Sequence, residues 1–377
     1  MLIGVVAETD PRETRVAASP ETVKKFIALG AEVAVQYGAG FAAGVTDADY
    51  QASGARLVDA AEAYGADIVL KVRRPSEPEI ARLKSDALVV ATMDPYGHIP
   101  EIEAMAMAGV SAFSMELMPR ITRAQSMDVL SSQANLAGYR AVVDAAFEYG
   151  RAFPMMMTPA GTVPAAKAFI MGVGVAGLQA IATARRLGAI VTATDVRPAT
   201  KEQVESLGAK FIAVEDEEFK QAETAGGYAK EMSDAYKAKQ AALVATHIAK
   251  QDIVVTTALI PGRPAPRLIT ADMVASMRAG SVIVDMAVER GGNCELSRAG
   301  ELVVTEGGVK IVGYSSVTRL AATASALYAR NLYAFVETLI DKSAKTIAVK
   351  PDDELVKATC LTRGGAVIHP NFQPKAA

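Results

Sequence analysis

Three glycines at positions 172, 174 and 177 have the spacing G-x-G-x-x-G in the run Gly172-Val173-Gly174-Val175-Ala176-Gly177. Such a run can bind a phosphate, because glycines allow a tight turn and a close approach of the backbone, and helix N-terminal amides face the anion. The spacing alone is common. Here the apolar segment KAFIM precedes it and the helix-like segment LQAIATARRLG follows it. This context indicates a dinucleotide-binding βαβ unit over residues 168–195.

Asp195 ends the next apolar segment, AIVTATD, at about the 20-residue spacing expected for an acid that binds the adenosine ribose. A carboxylate there accepts hydrogen bonds from ribose hydroxyls and repels a 2′-phosphate. The pair of motifs therefore predicts NAD(H) binding in preference to NADP(H), although the nearby Arg197 is a residue type that can serve a 2′-phosphate. The alternative is a glycine turn in an ordinary α/β domain, with a surface aspartate.

Strand-like and helix-like segments alternate along almost the whole chain, which predicts an α/β fold with parallel sheets. We expect two Rossmann-like domains, residues 1–130 plus 320–377 and residues 131–319, with the nicotinamide in the cleft between them. Ser19 and Pro20 begin a predicted helix that ends near Leu29, and a second helix is predicted over 320–340. The apolar segment 152–164 is expected to form a hairpin or an interface arm. Predicted strands lie at 2–7, 32–36, 67–72, 87–92, 109–116, 168–172, 190–194, 210–214, 252–257, 281–285 and 310–312.

The composition excludes several classes of protein. The chain has 377 residues, of which 51% are hydrophobic and 21% charged, and its net charge is −3. That charge and the absence of tryptophan argue against a nucleic-acid surface. The apolar runs are too short to span a bilayer, and the N-terminus lacks the pattern of a signal peptide. Cys294 and Cys360 match no metal-ligand spacing, so we expect reduced thiols in a cytoplasmic protein and no metal.

Beyond the glycine motif, a collinear set of segments resembles the NAD(H)-binding component, domain I, of proton-translocating nicotinamide nucleotide transhydrogenase. The chain resembles alanine dehydrogenase more distantly. The resemblance covers essentially the whole chain, and its most specific parts are the third and sixth segments. The segments are PRETRVAASPETV, VLKVRRP, MELMPRITRAQSMDVLSSQANLAGYRAV, MGVGVAGLQAIATARRLGA, TDVRPATKEQVESLGAKF, TAGGYAKEM, TTALIPGRPAP and VDMAVERGGNC.

The resemblance implies that PRITRAQSMDVLSS lies beside the nicotinamide. Arg120 and Asp128 are then expected to orient the ring and its carboxamide, Ser131 to add a hydrogen bond, and Gln125 to reach toward NADP(H) on a partner. Direct hydride transfer uses no acid or base, so groups that align the two rings suffice. The alternative for these four residues is a solvated loop with an N-cap serine.

The resemblance also implies the remaining cofactor contacts. Tyr228, preceded by two glycines, is expected at the tip of a mobile loop that closes over the nucleotide; the alternative is an exposed tyrosine in a disordered loop. The residues expected to contact NAD(H) are Gly172, Gly174, Val175, Ala176, Gly177, Asp195, Val196, Arg197, Gly227, Tyr228, Ala258 and Leu259.

In that family the component hands a hydride to NADP⁺ held on another domain, and a membrane domain couples the exchange to proton translocation. This chain carries neither of those other domains, so the resemblance predicts a separate alpha-1-type subunit. We expect a homodimer that associates peripherally with the inner membrane through a membrane subunit and an NADP(H)-binding subunit.

Two alternatives remain at the level of sequence. One is an alanine-type amino-acid dehydrogenase, whose substrate-binding positions correspond to Arg15 and Lys71. The catalytic histidine of that family is replaced here by the sequence Thr92-Met93-Asp94, with His98 several residues late, and its catalytic aspartate is replaced by Glu289. Arg15 and Lys71 are then interpreted as inherited structural or ion-pairing residues. The other alternative is a non-catalytic module that senses NADH.

Overall fold

Short runs rich in valine and isoleucine form the strands of two sheets, because strands buried on both faces of a parallel sheet are apolar. The computed structural model describes residues 1–222, 232–260, 262–314 and 317–373. The chain forms two compact units, one of Met1–Gln133 with Thr318–Ala377 and one of Ala134–Val317. The sequence-based boundaries, 130/131 and 319/320, fall close to these.

The first unit begins with alternating strands and helices. Their bounds are β1 (Leu2–Val5), α1 (Pro20–Ala28), β2 (Glu32–Gln36), α2 (Asp47–Ala52), β3 (Arg56–Val58), α3 (Ala60–Tyr64), β4 (Ile68–Arg73), α4 (Glu77–Ile80), β5 (Leu88–Thr92), α5 (Ile99–Met107) and β6 (Ser111–Ser114). Among the described residues these strands form one parallel sheet in the order β3-β2-β1-β4-β5-β6. The three-residue strand β3 was not predicted.

The predicted start of α1 is confirmed. Ser19 is its N-cap, Pro20 is its first residue, and the Ser19 hydroxyl accepts a hydrogen bond from the Thr22 amide at 3.3 Å. A serine cap followed by proline begins a helix because the side chain satisfies an amide that the first turn leaves unbonded.

The chain passes into the second unit through α6 (Val129–Glu148). The elements that follow are β7 (Met156–Thr158), β8 (Gly161–Val163), β9 (Lys167–Met171), α7 (Val175–Arg186), β10 (Ile190–Thr194), α8 (Thr200–Ser206), β11 (Lys210–Phe211), α9 (Glu217–Lys220), α10 (Asp234–Ile248), β12 (Ile253–Thr256), α11 (Ala271–Ala275), β13 (Val282–Asp285), β14 (Leu302–Val304) and β15 (Lys310–Val312). Strands β7 and β8 form the hairpin that was one of two predictions for residues 152–164.

The main sheet of the second unit has the order β11-β10-β9-β12-β13-β15-β14 in the described residues. Every pairing is parallel except β14 with β15, and β14 was not predicted. Two side-chain clusters form the core of this unit. One includes Ile170, Ala180, Ile181 and Val255, and the other includes Phe169, Val254 and Ile283.

The chain then returns to the first unit. This segment contains α12 (Ala321–Val336), β16 (Ile340–Asp341), β17 (Thr346–Ile347), α13 (Glu354–Thr359), β18 (Thr362–Arg363) and β19 (Ala366–Val367). Leu332 and Phe335 of α12 are buried in the same cluster as Ile3 and Leu70, so the return completes the core of the first unit. None of the helices in the described residues is long and apolar enough to cross a membrane.

Candidate nucleotide-binding site

The order of strands in the second unit creates a switch point between β9 and β12. The chain proceeds from β9 to β10 and β11 on one side, and then crosses to β12 on the other side. Ligands of open parallel sheets bind at the carboxyl ends of the strands at such a point. The glycine run follows β9 there, and the Thr257 amide beside it donates to Met171 O at 2.9 Å.

The three glycines have different structural reasons. Gly172 has a φ of 99°, which favours glycine. A Cβ on Gly177 would lie 1.9 Å from Gly172 O, so only glycine allows α7 to approach the turn this closely. A Cβ on Gly174 would meet no atom within 4 Å among the described residues, which leaves room for a ligand. This arrangement fits a dinucleotide pyrophosphate over the turn and the N-terminus of α7.

Asp195 follows β10 and lies against the glycine turn. Its Oδ2 accepts a hydrogen bond from the Val173 amide at 2.7 Å. The side chain of Arg197 donates to both carboxylate oxygens, from Nε to Oδ1 and from Nη2 to Oδ2, each at 2.9 Å, and the Arg197 amide also donates to Oδ1 at 2.9 Å. A ribose hydroxyl at Asp195 therefore has to compete with the Arg197 guanidinium. The sequence alone did not indicate this contact. Val196 between them is exposed.

The segment after β12 forms the opposite side of the switch point. The Thr257 hydroxyl donates to Gly172 O at 3.0 Å, and Ala258 is bonded through both its amide and its carbonyl to the side chain of Asn293. Leu259 is exposed next to it. Asn293 was missed as a functional candidate; its place after Gly291-Gly292 was a signal of a special turn, but nothing in the spacing indicated its partner.

The segment expected beside the nicotinamide belongs to the first unit. Arg120 and Gln125 are exposed, and Gln125 lies in a 3-10 helix over Thr122–Met127. Asp128 directly precedes α6, and its carboxylate accepts hydrogen bonds from the amide and hydroxyl of Ser131 at 2.9 and 2.5 Å. These two residues therefore form an N-cap interaction, with the aspartate as the cap. Gly227 and Tyr228, expected in the mobile loop, lie outside the described residues.

Arg15 and Lys71 lie in buried ion pairs of the first unit. Arg15 donates from Nε and Nη2 to the two carboxylate oxygens of Glu13, both at 2.7 Å. The Lys71 side chain is 1% exposed, and its Nζ lies 2.9 Å from Glu79 Oε1 and 3.4 Å from Glu8 Oε2. These contacts agree with the ion-pairing interpretation of both residues.

The electrostatics of this cluster separate its carboxylates. Burial on its own raises the pKa of Glu79, but the Lys71 ammonium and hydrogen bonds from Tyr64 and Ser76 outweigh burial and lower it to about 2. Burial dominates at Glu8 and raises its pKa despite Lys71. At neutral pH the Lys71 charge is thus balanced by internal carboxylates.

The residues that replace a dehydrogenase's acid–base groups have structural surroundings of their own. His98 is the N-cap residue of α5, and its Nδ1 lies 2.9 Å from Arg74 Nη2 and 3.2 Å from Glu101 Oε1. Glu289 is exposed in a 3-10 turn after β13, whereas Asp285 at the end of β13 is buried. In the described part of the chain, no cluster of three or more histidine, cysteine or acidic residues is arranged to hold a metal ion.

Comparison with known proteins places these features in a family. Residues 4–137 match the N-terminal domain of the alanine dehydrogenase/PNT family, and residues 141–370 match its C-terminal domain. The chain is 56% identical over 385 residues to the first portion of NAD(P) transhydrogenase subunit alpha from Rhodospirillum rubrum, a separate polypeptide, with 100% of both chains covered. The crystal structure of transhydrogenase from Sinorhizobium meliloti superposes with a TM-score of 0.90 at 61% identity, covering 98% of this chain and 100% of that one. Alanine dehydrogenase of Mycolicibacterium smegmatis is 30% identical over 304 residues, which are 79% of this chain and 75% of that protein.

Proposed function

The chain belongs to the alanine dehydrogenase/PNT family, and on this premise we propose that it is the NAD(H)-binding subunit of a proton-translocating NAD(P)⁺ transhydrogenase. When bound, NADH supplies a hydride directly to NADP⁺ on a partner subunit, and a membrane subunit couples this exchange to proton translocation. The observation that carries the proposal is the switch-point site of the second unit, combined with relatives that are transhydrogenase subunits.

The residues of the switch point have the chemistry that NAD(H) requires. The backbone of Gly172, Gly174, Val175, Ala176 and Gly177 would hold the pyrophosphate. The Asp195 carboxylate would accept the adenosine ribose hydroxyls in place of part of its contact with Arg197. Ala258 and Leu259 would face the nucleotide from the other side of the switch point, beside Thr257 and Gly172.

The segment from Arg120 to Ser131 supplies the orienting groups of the proposal. Its residues would fix the nicotinamide and its carboxamide, because the rate of a direct transfer depends on alignment and exclusion of water. The exposed Gln125 is the group proposed to face the partner's NADP(H), and Asp128 with Ser131 would combine helix capping with carboxamide contact.

The ion pairs of the first unit favour this proposal over an amino-acid dehydrogenase. A dehydrogenase needs cations that bind a substrate carboxylate, and a group that moves a proton. Here Arg15 and Lys71 are already bonded to Glu13 and Glu79, and Lys71 is buried. Using either cation for substrate would break a buried ion pair, which typically costs about 3–5 kcal/mol.

The assembly belongs to the same proposal. We infer a homodimer formed through the exposed hairpin of β7 and β8, where Met155, Met156 and Met157 expose apolar surface. A peripheral position at the inner membrane, through partner subunits, follows from the proposed role.

Reconstitution tests the function. The chain is mixed with an NADP(H)-binding transhydrogenase subunit, and hydride exchange between NADH and an oxidised NADP analogue is followed by absorbance. We expect exchange that depends on both proteins. Intact NADH binding without any exchange would leave the sensing module as the better interpretation. Alanine-dependent NAD⁺ reduction by the chain alone would indicate a dehydrogenase.

A further inference from the structure

Asn293 is a buried side chain that holds the loop after β12. Its Oδ1 accepts a hydrogen bond from the Ala258 amide at 3.1 Å, and its Nδ2 donates to the carbonyl oxygens of Ala258 and Pro266 at 2.9 and 2.8 Å. The residue is 0% exposed. Both donors and the acceptor of one amide are thus used on one loop, and Ala258 is held through its N–H and its C=O together.

Asp285 holds Asn293 in turn. Its carboxylate accepts hydrogen bonds from the amides of Ala287 and Cys294, at 3.0 and 2.9 Å, and from the Ser297 hydroxyl at 2.7 Å. These partners lie on both sides of Asn293 in the chain. A buried carboxylate is stable only when its oxygens are hydrogen-bonded, so removal of these contacts is costly and the loop has a defined shape.

The held loop contacts the glycine turn directly. Thr257 precedes Ala258 and donates its hydroxyl hydrogen bond to Gly172 O. A second connection joins the two loops further on, where the Ala265 amide donates to Arg290 O at 2.8 Å. A shift of Ala258 would therefore move the backbone that faces the candidate pyrophosphate site.

We propose that Asn293 is a positioning residue for nucleotide binding. It keeps the Ala258–Leu259 backbone beside the glycine turn in its binding conformation before the nucleotide arrives. A loop ordered in advance loses little conformational freedom on binding, and affinity rises accordingly. This inference rests on the proposed function, in which NAD(H) is the ligand of the switch point.

The test compares Asn293→Ala with Gln251→Ala. Gln251 is a matched control, because it is also a buried amide and lies just before β12, whose other end leads to Ala258; its Nε2 donates to His247 O at 3.1 Å. The dissociation constant of NADH is measured by calorimetry, and hydrogen–deuterium exchange of the Ala258 amide is measured without nucleotide. For Asn293→Ala we expect at least tenfold weaker NADH binding and at least tenfold faster exchange. Gln251→Ala should change both values less than twofold.

Each other outcome overturns the inference. Exchange at Ala258 that stays slow in Asn293→Ala shows that the side chain does not hold the loop. Fast exchange with unchanged NADH affinity shows that holding the loop does not matter for binding. If Asn293→Ala does not fold, Asn293→Asp is measured with the same expectations, because it retains the acceptor for Ala258 but places an oxygen against two carbonyl oxygens. A wild-type chain that binds no NADH refutes the proposed function itself, whereas equal affinity of variant and wild type refutes only the role of Asn293.

Discussion

Asp195 and Arg197 are the residues on which nucleotide preference depends. The carboxylate and the guanidinium bond each other through two parallel hydrogen bonds, which is the strongest geometry for this pair. Arg197 thereby neutralises the charge that should exclude a 2′-phosphate, and remains close enough to serve one if Asp195 is changed.

Asp195→Asn is expected to reduce the preference for NADH over NADPH about tenfold, because the repulsion of a 2′-phosphate is lost while Arg197 remains. Calorimetric dissociation constants for the two nucleotides measure this ratio. Adding Arg197→Ala should then weaken NADPH binding again. An unchanged ratio in Asp195→Asn would mean that Asp195 is not the ribose ligand.

Arg120 is expected to act on alignment more than on affinity. In Arg120→Ala, the rate of hydride exchange in the reconstituted system should fall at least tenfold, while the NADH dissociation constant changes less than threefold. Arg123→Ala is the control, since Arg123 is an exposed arginine of the same segment that pairs with Asp353 and Glu354 on the surface. Equal losses of rate and affinity in Arg120→Ala would contradict an orienting role.

At the level of elements, the packing of α7 on the end of β9 depends on one glycine, and the access of a ligand depends on another. The contact between Gly177 and Gly172 O sets how closely the helix approaches the strand. Gly174 sits at the N-cap of the same helix with open space in front of it. Stability and binding can therefore be separated in one turn.

Gly177→Ala should destabilise the second unit by about 1–3 kcal/mol, because the added methyl forces α7 away from the turn. Gly174→Ala should unfold at the wild-type urea concentration yet bind NADH at least tenfold more weakly, because its methyl occupies space meant for the pyrophosphate. Urea denaturation and calorimetry measure the two effects. A Gly174→Ala chain with normal affinity would place the pyrophosphate elsewhere.

The junction between β4 and α4 in the first unit carries the pH dependence. Glu79 has a pKa of about 2 in the folded chain against 4.5 when unfolded, since Lys71 and its hydrogen bonds outweigh burial. A carboxyl group with a lowered pKa stabilises the fold above its unfolded pKa, and this stabilisation is lost as pH falls from about 4.5 toward 2. Glu8, with its raised pKa, acts in the opposite direction.

Glu79→Gln should lower the unfolding free energy by about 3 kcal/mol at pH 7, and should lose less further stability than wild type between pH 4.5 and 3. Urea denaturation followed by circular dichroism measures both quantities. Glu21→Gln is the control: its pKa is also about 2, through hydrogen bonds to Arg330 and Lys25, but its side chain is 44% exposed. Solvent screening should limit that loss to about 1 kcal/mol or less. Equal losses in the two variants would show that burial of the Lys71 cluster adds nothing.

At the level of the whole molecule, the proposed dimer depends on apolar surface that the monomer leaves exposed. Met157 on the hairpin of β7 and β8 is 81% exposed. Such exposure of adjacent apolar side chains on a projecting hairpin is typical of an interface.

Met157→Asp should shift the chain from dimer to monomer at micromolar concentration, because a buried unpaired charge opposes association. Sedimentation equilibrium measures this shift. Met107→Asp is the matched control, since Met107 on α5 is also 81% exposed and should leave the oligomeric state unchanged. A monomeric wild type, or a dimeric Met157→Asp, would remove the hairpin from the interface.

Much of this protein could be read from local sequence patterns. The strands at the centre of both sheets, the start of α1, the glycine turn after β9 and the position of Asp195 after β10 all follow from residues adjacent in the chain. Apolar runs specify buried strands, and glycine spacing specifies a turn, because backbone conformation depends mainly on near neighbours. The short strands β3 and β14 were not predicted because so few residues carry no periodicity.

The tertiary structure alone decided which side chains hold one another. Asn293 bonds Ala258 across 35 positions of the chain, and the two members of the Lys71–Glu79 pair come from a strand and the helix after it. The bidentate contact of Arg197 with Asp195 is short in sequence, yet it depends on how the chain turns after β10. Hydrogen bonds and ion pairs require a direction and about 3 Å of separation, and these are set by how loops from different strands meet at the edge of a sheet. The glycine turn and Asp195 could thus be recognised in the sequence, but the groups that position them or compete with their ligand could not.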